Sequence, residues 1–101
     1  MNGKIEAIRN HILKGMPGRV IEYRHSGRYG LHKFRIEGRE PTHWLYVSDQ
    51  VVDDSDPTIL INLINIYHIV ETLNQAEQSK WLRLASNGIR EVDENFAKED
   101  I

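Results

Sequence analysis

The sequence predicts an α+β domain: an N-terminal helix, an antiparallel sheet of three to four strands, and a long apolar helix packed on one sheet face. Three observations predict it. Apolar residues step by three and four near the N-terminus and again over residues 57–73, which is a helical period. Between those stretches, residues 19–47 alternate apolar with polar, which is the period of half-buried strands. The chain has 101 residues, 40% of them hydrophobic and 28% charged. That is enough for one domain spanning residues 1–101 with a single core, and too apolar for a disordered chain.

Ile5, Ile8 and Ile12 space a helix over residues 3–14, and Gly15 stands where a helix C-cap belongs. Met16-Pro17-Gly18 then breaks the chain. Residues 20–24 and 31–36 read as a hairpin closed by a two-residue turn at Gly27-Arg28, with glycine first as a type II′ turn requires. That turn sets Ile21 opposite Phe34, Glu22 opposite Lys33, and Tyr23 opposite His32. It also sorts Ile21, Tyr23, Phe34 and Ile36 onto one face. A third strand over residues 42–47 follows a short connection. A turn at Arg39-Glu40 sets Phe34 opposite Leu45, Arg35 opposite Trp44, and Lys33 opposite Tyr46. An even change in loop length keeps these faces, and an odd one swaps them.

Asp56-Pro57 is a helix start, with an N-cap acceptor followed by proline in the first turn. Residues 57–73 are rich in β-branched side chains, which argues for strand. Their length and the polar stripe Asn62, Asn65, His68 and Thr72 argue for one helix, and helix is the expectation. In residues 80–96, Trp81, Ala85, Ile89, Val92 and Phe96 fit a helical stripe, but Asn87-Gly88 interrupts it. A fourth strand over residues 80–86 is favoured, followed by a weakly ordered acidic end over residues 93–101.

The composition excludes several functions. There is no cysteine, so disulfides, thiolate zinc sites and cysteine nucleophiles are out. The first residues lack the apolar centre and cleavage site of a secretory signal, and no run is apolar enough to span a bilayer. A reducing cytoplasm is therefore the default expectation. No G-x-S-x-G elbow surrounds Ser48 or Ser55, and no glycine-rich phosphate loop occurs. No catalytic residue, cofactor or metal is assigned.

The charge is divided along the chain. Residues 1–48 carry nine Lys/Arg against four Glu, and residues 49–101 carry four Lys/Arg against eleven Asp/Glu. Such a split marks either an electrostatic binding face or two lobes that attract each other. The acidic run Asp49, Asp53, Asp54 and Asp56 lacks the alternating ligands and central glycine of a calcium loop, and it reads as a solvated turn. The histidines form no HExxH motif and no i, i+4 pair. His32 and His43, with His25 at the hairpin tip, make a metal site only by converging, so they read as ordinary strand residues.

Two surfaces stand out. Ten of residues 57–73 are apolar, more than one stripe against a sheet needs. A second copy of the chain is the economical cover, through Ile61, Ile64, Tyr67, His68 and Ile69. Arg24, Lys33, Arg35, Trp44 and Tyr46 share the other sheet face, as cations and rings suited to a partner. The expectation is a small non-catalytic interaction protein, a homodimer with a protein partner on that face and no membrane contact. The alternative is single-stranded nucleic-acid binding through the same five residues.

Overall fold

The computed structural model describes residues 3–96. Alternating sequence from residue 20 onward gives three strands: β1 (Val20–Ser26), β2 (Leu31–Glu37) and β3 (His43–Ser48). They pair antiparallel, and helix α1 (Gly3–Gly15) precedes them. Three helices follow: α2 (Asp49–Asp54), α3 (Pro57–Ile66) and α4 (Ile69–Gln75). Strands β4 (Trp81–Ala85) and β5 (Gly88–Val92) complete one five-stranded sheet in sequence order. The α+β class stands, but the sheet is mixed. β4 runs parallel to β3, and that pairing needs a crossover, which the three helices supply.

The pairing of β2 with β3 is the one the Arg39-Glu40 turn demands: Phe34 faces Leu45, Arg35 faces Trp44, and Lys33 faces Tyr46. The hairpin register differs by two residues. Ile21 pairs with Ile36, Glu22 with Arg35, and Tyr23 with Phe34. The connection spans residues 27–30, and the positive φ sits at Gly30 (63°) rather than Gly27. Ser26 Oγ closes this turn by accepting the Tyr29 N–H at 3.2 Å. Because the shift is even, every side chain keeps its face.

The helices meet one sheet face through a continuous core. Ile5, Ile8 and Ile12 of α1, Val51 and Val52 of α2, Leu60 and Ile64 of α3, and Ile69 and Leu73 of α4 pack with Phe34, Ile36, Leu45, Val47, Leu82 and Leu84. The α3 start is the expected one. Asp56 Oδ1 accepts the Ile59 N–H at 2.9 Å, with Pro57 in the first turn. Ser48 caps α2 in the same way, accepting from Val51 N–H at 3.2 Å. Part of the acidic run is thus helix rather than turn.

The long apolar helix does not form. It breaks at Tyr67–His68, where His68 takes a left-handed conformation (φ 53°, ψ 40°). Periodicity explains the break. Leu60 and Ile64 lie four apart, as do Ile69 and Leu73, but Ile64 to Ile69 is a step of five. In a straight helix five residues rotate the stripe by about 140°. One left-handed residue re-aims the second pair at the core.

The favoured fourth strand is present, and a two-residue turn at Ser86-Asn87 leads into β5, which begins at Gly88 and was not expected from the sequence. Residues 93–96 form a turn that sets the Phe96 ring 5.8 Å from that of Tyr46. Residues 97–101 of the acidic end lie outside the described residues. No helix among the described residues is long and apolar enough to cross a membrane.

Candidate functional site

The sheet face turned away from the helices carries a second, smaller apolar cluster. Leu31 and Tyr46 are buried in it, with Trp44, Trp81, Val92 and Phe96 packed around them. The parallel register makes this cluster. It places Trp44 beside Trp81 and Tyr46 beside Arg83. The two indoles stack with centroids 4.7 Å apart and planes 4° from parallel. Both are half-buried.

All five partner-binding candidates lie on this face, but they are not equally available. Arg24 is exposed, and Trp44 and Arg35 are half-buried. Glu22 and Glu37 hold Arg35 at 3.2 and 2.9 Å. Tyr46 and Lys33 are only 5% and 6% exposed. The Lys33 ammonium lies 5.5 Å from the Tyr29 ring centre and 5.9 Å from that of Tyr46, a pair of cation–π contacts. Burial pushes the Tyr46 phenol pKa up.

Three residues outside the sequence assignment complete the face. Trp81 doubles the aromatic surface. Arg83 and Arg90 are direct cross-strand partners on β4 and β5. Among the described residues neither forms an ion pair. The Arg83 guanidinium lies 5.9 Å from the Phe96 ring centre, and its buried Nε has no hydrogen-bond partner among the described residues. A helical stripe through residues 81–96 hides this juxtaposition, and β4–β5 pairing reveals it.

The dimer candidates are divided by the helix break. Ile64 and Ile69 are 1% and 0% exposed. They are spent in the protomer's own core and offer nothing to a second copy. Ile61 and Tyr67 are half-buried, and His68 is exposed. The apolar residues that α3 does leave outward are Ile59 and Ile66.

The histidines assemble differently from the convergence weighed above. His43 lies on β3 opposite Ile36, four positions along β2 from His32. His25 takes its place, because the two-residue register shift makes it the direct partner of His32. Their rings lie 4.6 Å apart. Both imidazoles reach the same oxygen: Asp49 Oδ1 is 2.9 Å from His25 Nε2 and 3.1 Å from His32 Nε2. On its other side, His32 Nδ1 lies 2.7 Å from the Tyr23 hydroxyl. Burial, then the neighbouring His25, lowers the His32 pKa, while Asp49 works against that shift. Burial, then the Asp49 charge, raises that of Tyr23. This cluster sits on the helix side of the sheet, at the end where β3 runs into α2.

Set against protein-family models, curated proteins and solved structures, the chain matches none of them.

Proposed function

We propose that this chain is a non-catalytic binding domain whose sheet face opposite the helices takes an acidic segment of a protein partner. The Trp44–Trp81 stack carries this reading. Two large rings stay partly exposed on this face, beside the cross-strand pair Arg83–Arg90. Like charges directly opposite on a sheet destabilise it by a few tenths of a kcal/mol or more. A carboxylate set between them reverses that sign. Trp and Arg are also the residues most enriched among binding hot spots.

A protein partner fits better than single-stranded nucleic acid because the indoles turn one face each toward the other, which halves the surface left for stacked bases. Sheet-face rings with arginines nonetheless favour single-stranded nucleic acid as the second reading.

Indole fluorescence tests both. A Glu-rich peptide titrated at low salt should quench Trp44 and Trp81 with saturation. Trp81→Ala and Arg90→Glu should each weaken binding by at least about thirtyfold, the scale of a single hot-spot residue. Saturation by oligothymidine and not by the peptide moves the assignment to nucleic acid. No response to either removes the face as a binding site.

A further inference from the structure

The His25–His32–Asp49 cluster serves no purpose in partner binding on the opposite sheet face. We propose that it is a binding site for a divalent transition-metal ion, with zinc the best match to its donors. Two imidazole nitrogens and one carboxylate oxygen lie within 4.8 Å of one another. Mixed nitrogen and oxygen donors suit zinc and its first-row neighbours, whereas calcium and magnesium take oxygen alone.

The spacing fits as well. Ligands at zinc bond lengths in a tetrahedron stand about 3.3 Å from one another. The two nitrogens stand 2.9 and 3.1 Å from Asp49 Oδ1, each within a few tenths of an ångström of that spacing, and all three donor atoms lie within 4.8 Å of one another.

Three backbone features hold the donors at one place. The β1–β2 register puts His25 directly across from His32. Asp49 is the first residue of α2, fixed by the Ser48 cap that precedes it. Its own N–H donates to the Gly30 carbonyl at 2.9 Å, which ties the helix start to the hairpin loop.

The Tyr23 hydroxyl supplies the outer contact that metal-bound imidazoles need. Without an ion, the phenol donates to His32 Nδ1, and Nε2–H donates to Asp49. With an ion, Nε2 gives its lone pair to the metal, and Nδ1–H donates to the phenol oxygen. A tyrosine serves both states because its hydroxyl donates and accepts. His32 is shielded, while the His25 and Asp49 side chains are 46% and 38% exposed. That opening is the ion's entry path, and three protein donors leave a fourth position to water.

The test is calorimetric titration of the untagged full chain with zinc chloride, paired with the visible spectrum of the cobalt form. One ion per chain is expected, with the intense bands of a four-coordinate site. His25→Ala removes an exposed side chain and Asp49→Asn keeps its shape, so both should stay folded by circular dichroism. Each should lose at least about tenfold in affinity, and Tyr23→Phe should lose about tenfold as an outer-contact change. His68→Gly, on the unrelated α3–α4 break, and Trp81→Ala, on the opposite sheet face, should bind as the wild type does. Absence of saturable binding at millimolar zinc overturns the site. So does binding that His25→Ala and Asp49→Asn leave unchanged.

Discussion

His43 is fully buried at the seam between β3 and β4, and one hydrogen bond fixes its protonation. Its Nδ1 accepts the Lys80 backbone N–H at 3.1 Å, so the ring is neutral with its proton on Nε2. Protonating Nδ1 would turn an acceptor toward a donor. Burial lowers its pKa below the ordinary 6.5. The Arg19 guanidinium and the Lys80 ammonium push the same way, and the Leu73 carbonyl opposes them. The unfolded chain therefore takes up this proton first. Stability should be flat above the ordinary value and should fall as pH drops through it. Urea unfolding at about pH 7.5 and about pH 5.5 measures the slope. In His43→Gln, whose side-chain oxygen can still accept from Lys80, the acid loss should shrink. An unchanged slope would assign the effect elsewhere.

At the scale of elements, the α3–α4 break shows what the sequence made legible and what it did not. Strand faces were readable because their period is two: a misplaced turn of even length still left Ile21, Tyr23, Phe34 and Ile36 together on the core side. Helix starts were readable because Asp56 and Pro57 are local chemistry. The break was not, because no glycine or proline marks it, and His68 is left-handed only to satisfy packing on either side. The same limit hid the metal-donor cluster, which depends on a register shift and on a helix start after Ser48. It also hid the Arg83–Arg90 pair, which depends on β5. A non-glycine residue in the left-handed region costs about 1–2 kcal/mol. His68→Gly should therefore hold or raise the midpoint of thermal unfolding, and His68→Val should lower it. Ile69→Ala, just beyond the break, should cost about 2–5 kcal/mol as a buried truncation. A small cost at Ile69 would mean that α4 does not seal the core.

At the scale of the whole molecule, the last strands complete a core that the first strands begin. β3 is central in the sheet only when β4 lies beside it, tied at its start by Trp44 N–H donating to the Lys80 carbonyl at 2.8 Å. Without β4 and β5, β3 becomes an exposed edge carrying Leu45 and Val47, and such edges pair with other chains. Leu82 and Leu84 also leave the core, at about 2–5 kcal/mol each on the scale of Leu→Ala changes. A domain of this size has about 5–15 kcal/mol of stability in total. A chain ending at Gln75 keeps the residues of both helix starts, of the hairpin and of the His25–His32–Asp49 cluster, yet it should show no cooperative thermal transition and should aggregate. The measurement is circular dichroism against temperature, with light scattering alongside. A sharp transition near the full-length midpoint would mean that β1–β3 and the helices fold alone. β4 and β5 would then be an appendage added for the binding face, rather than the part of the sheet that makes the fold hold.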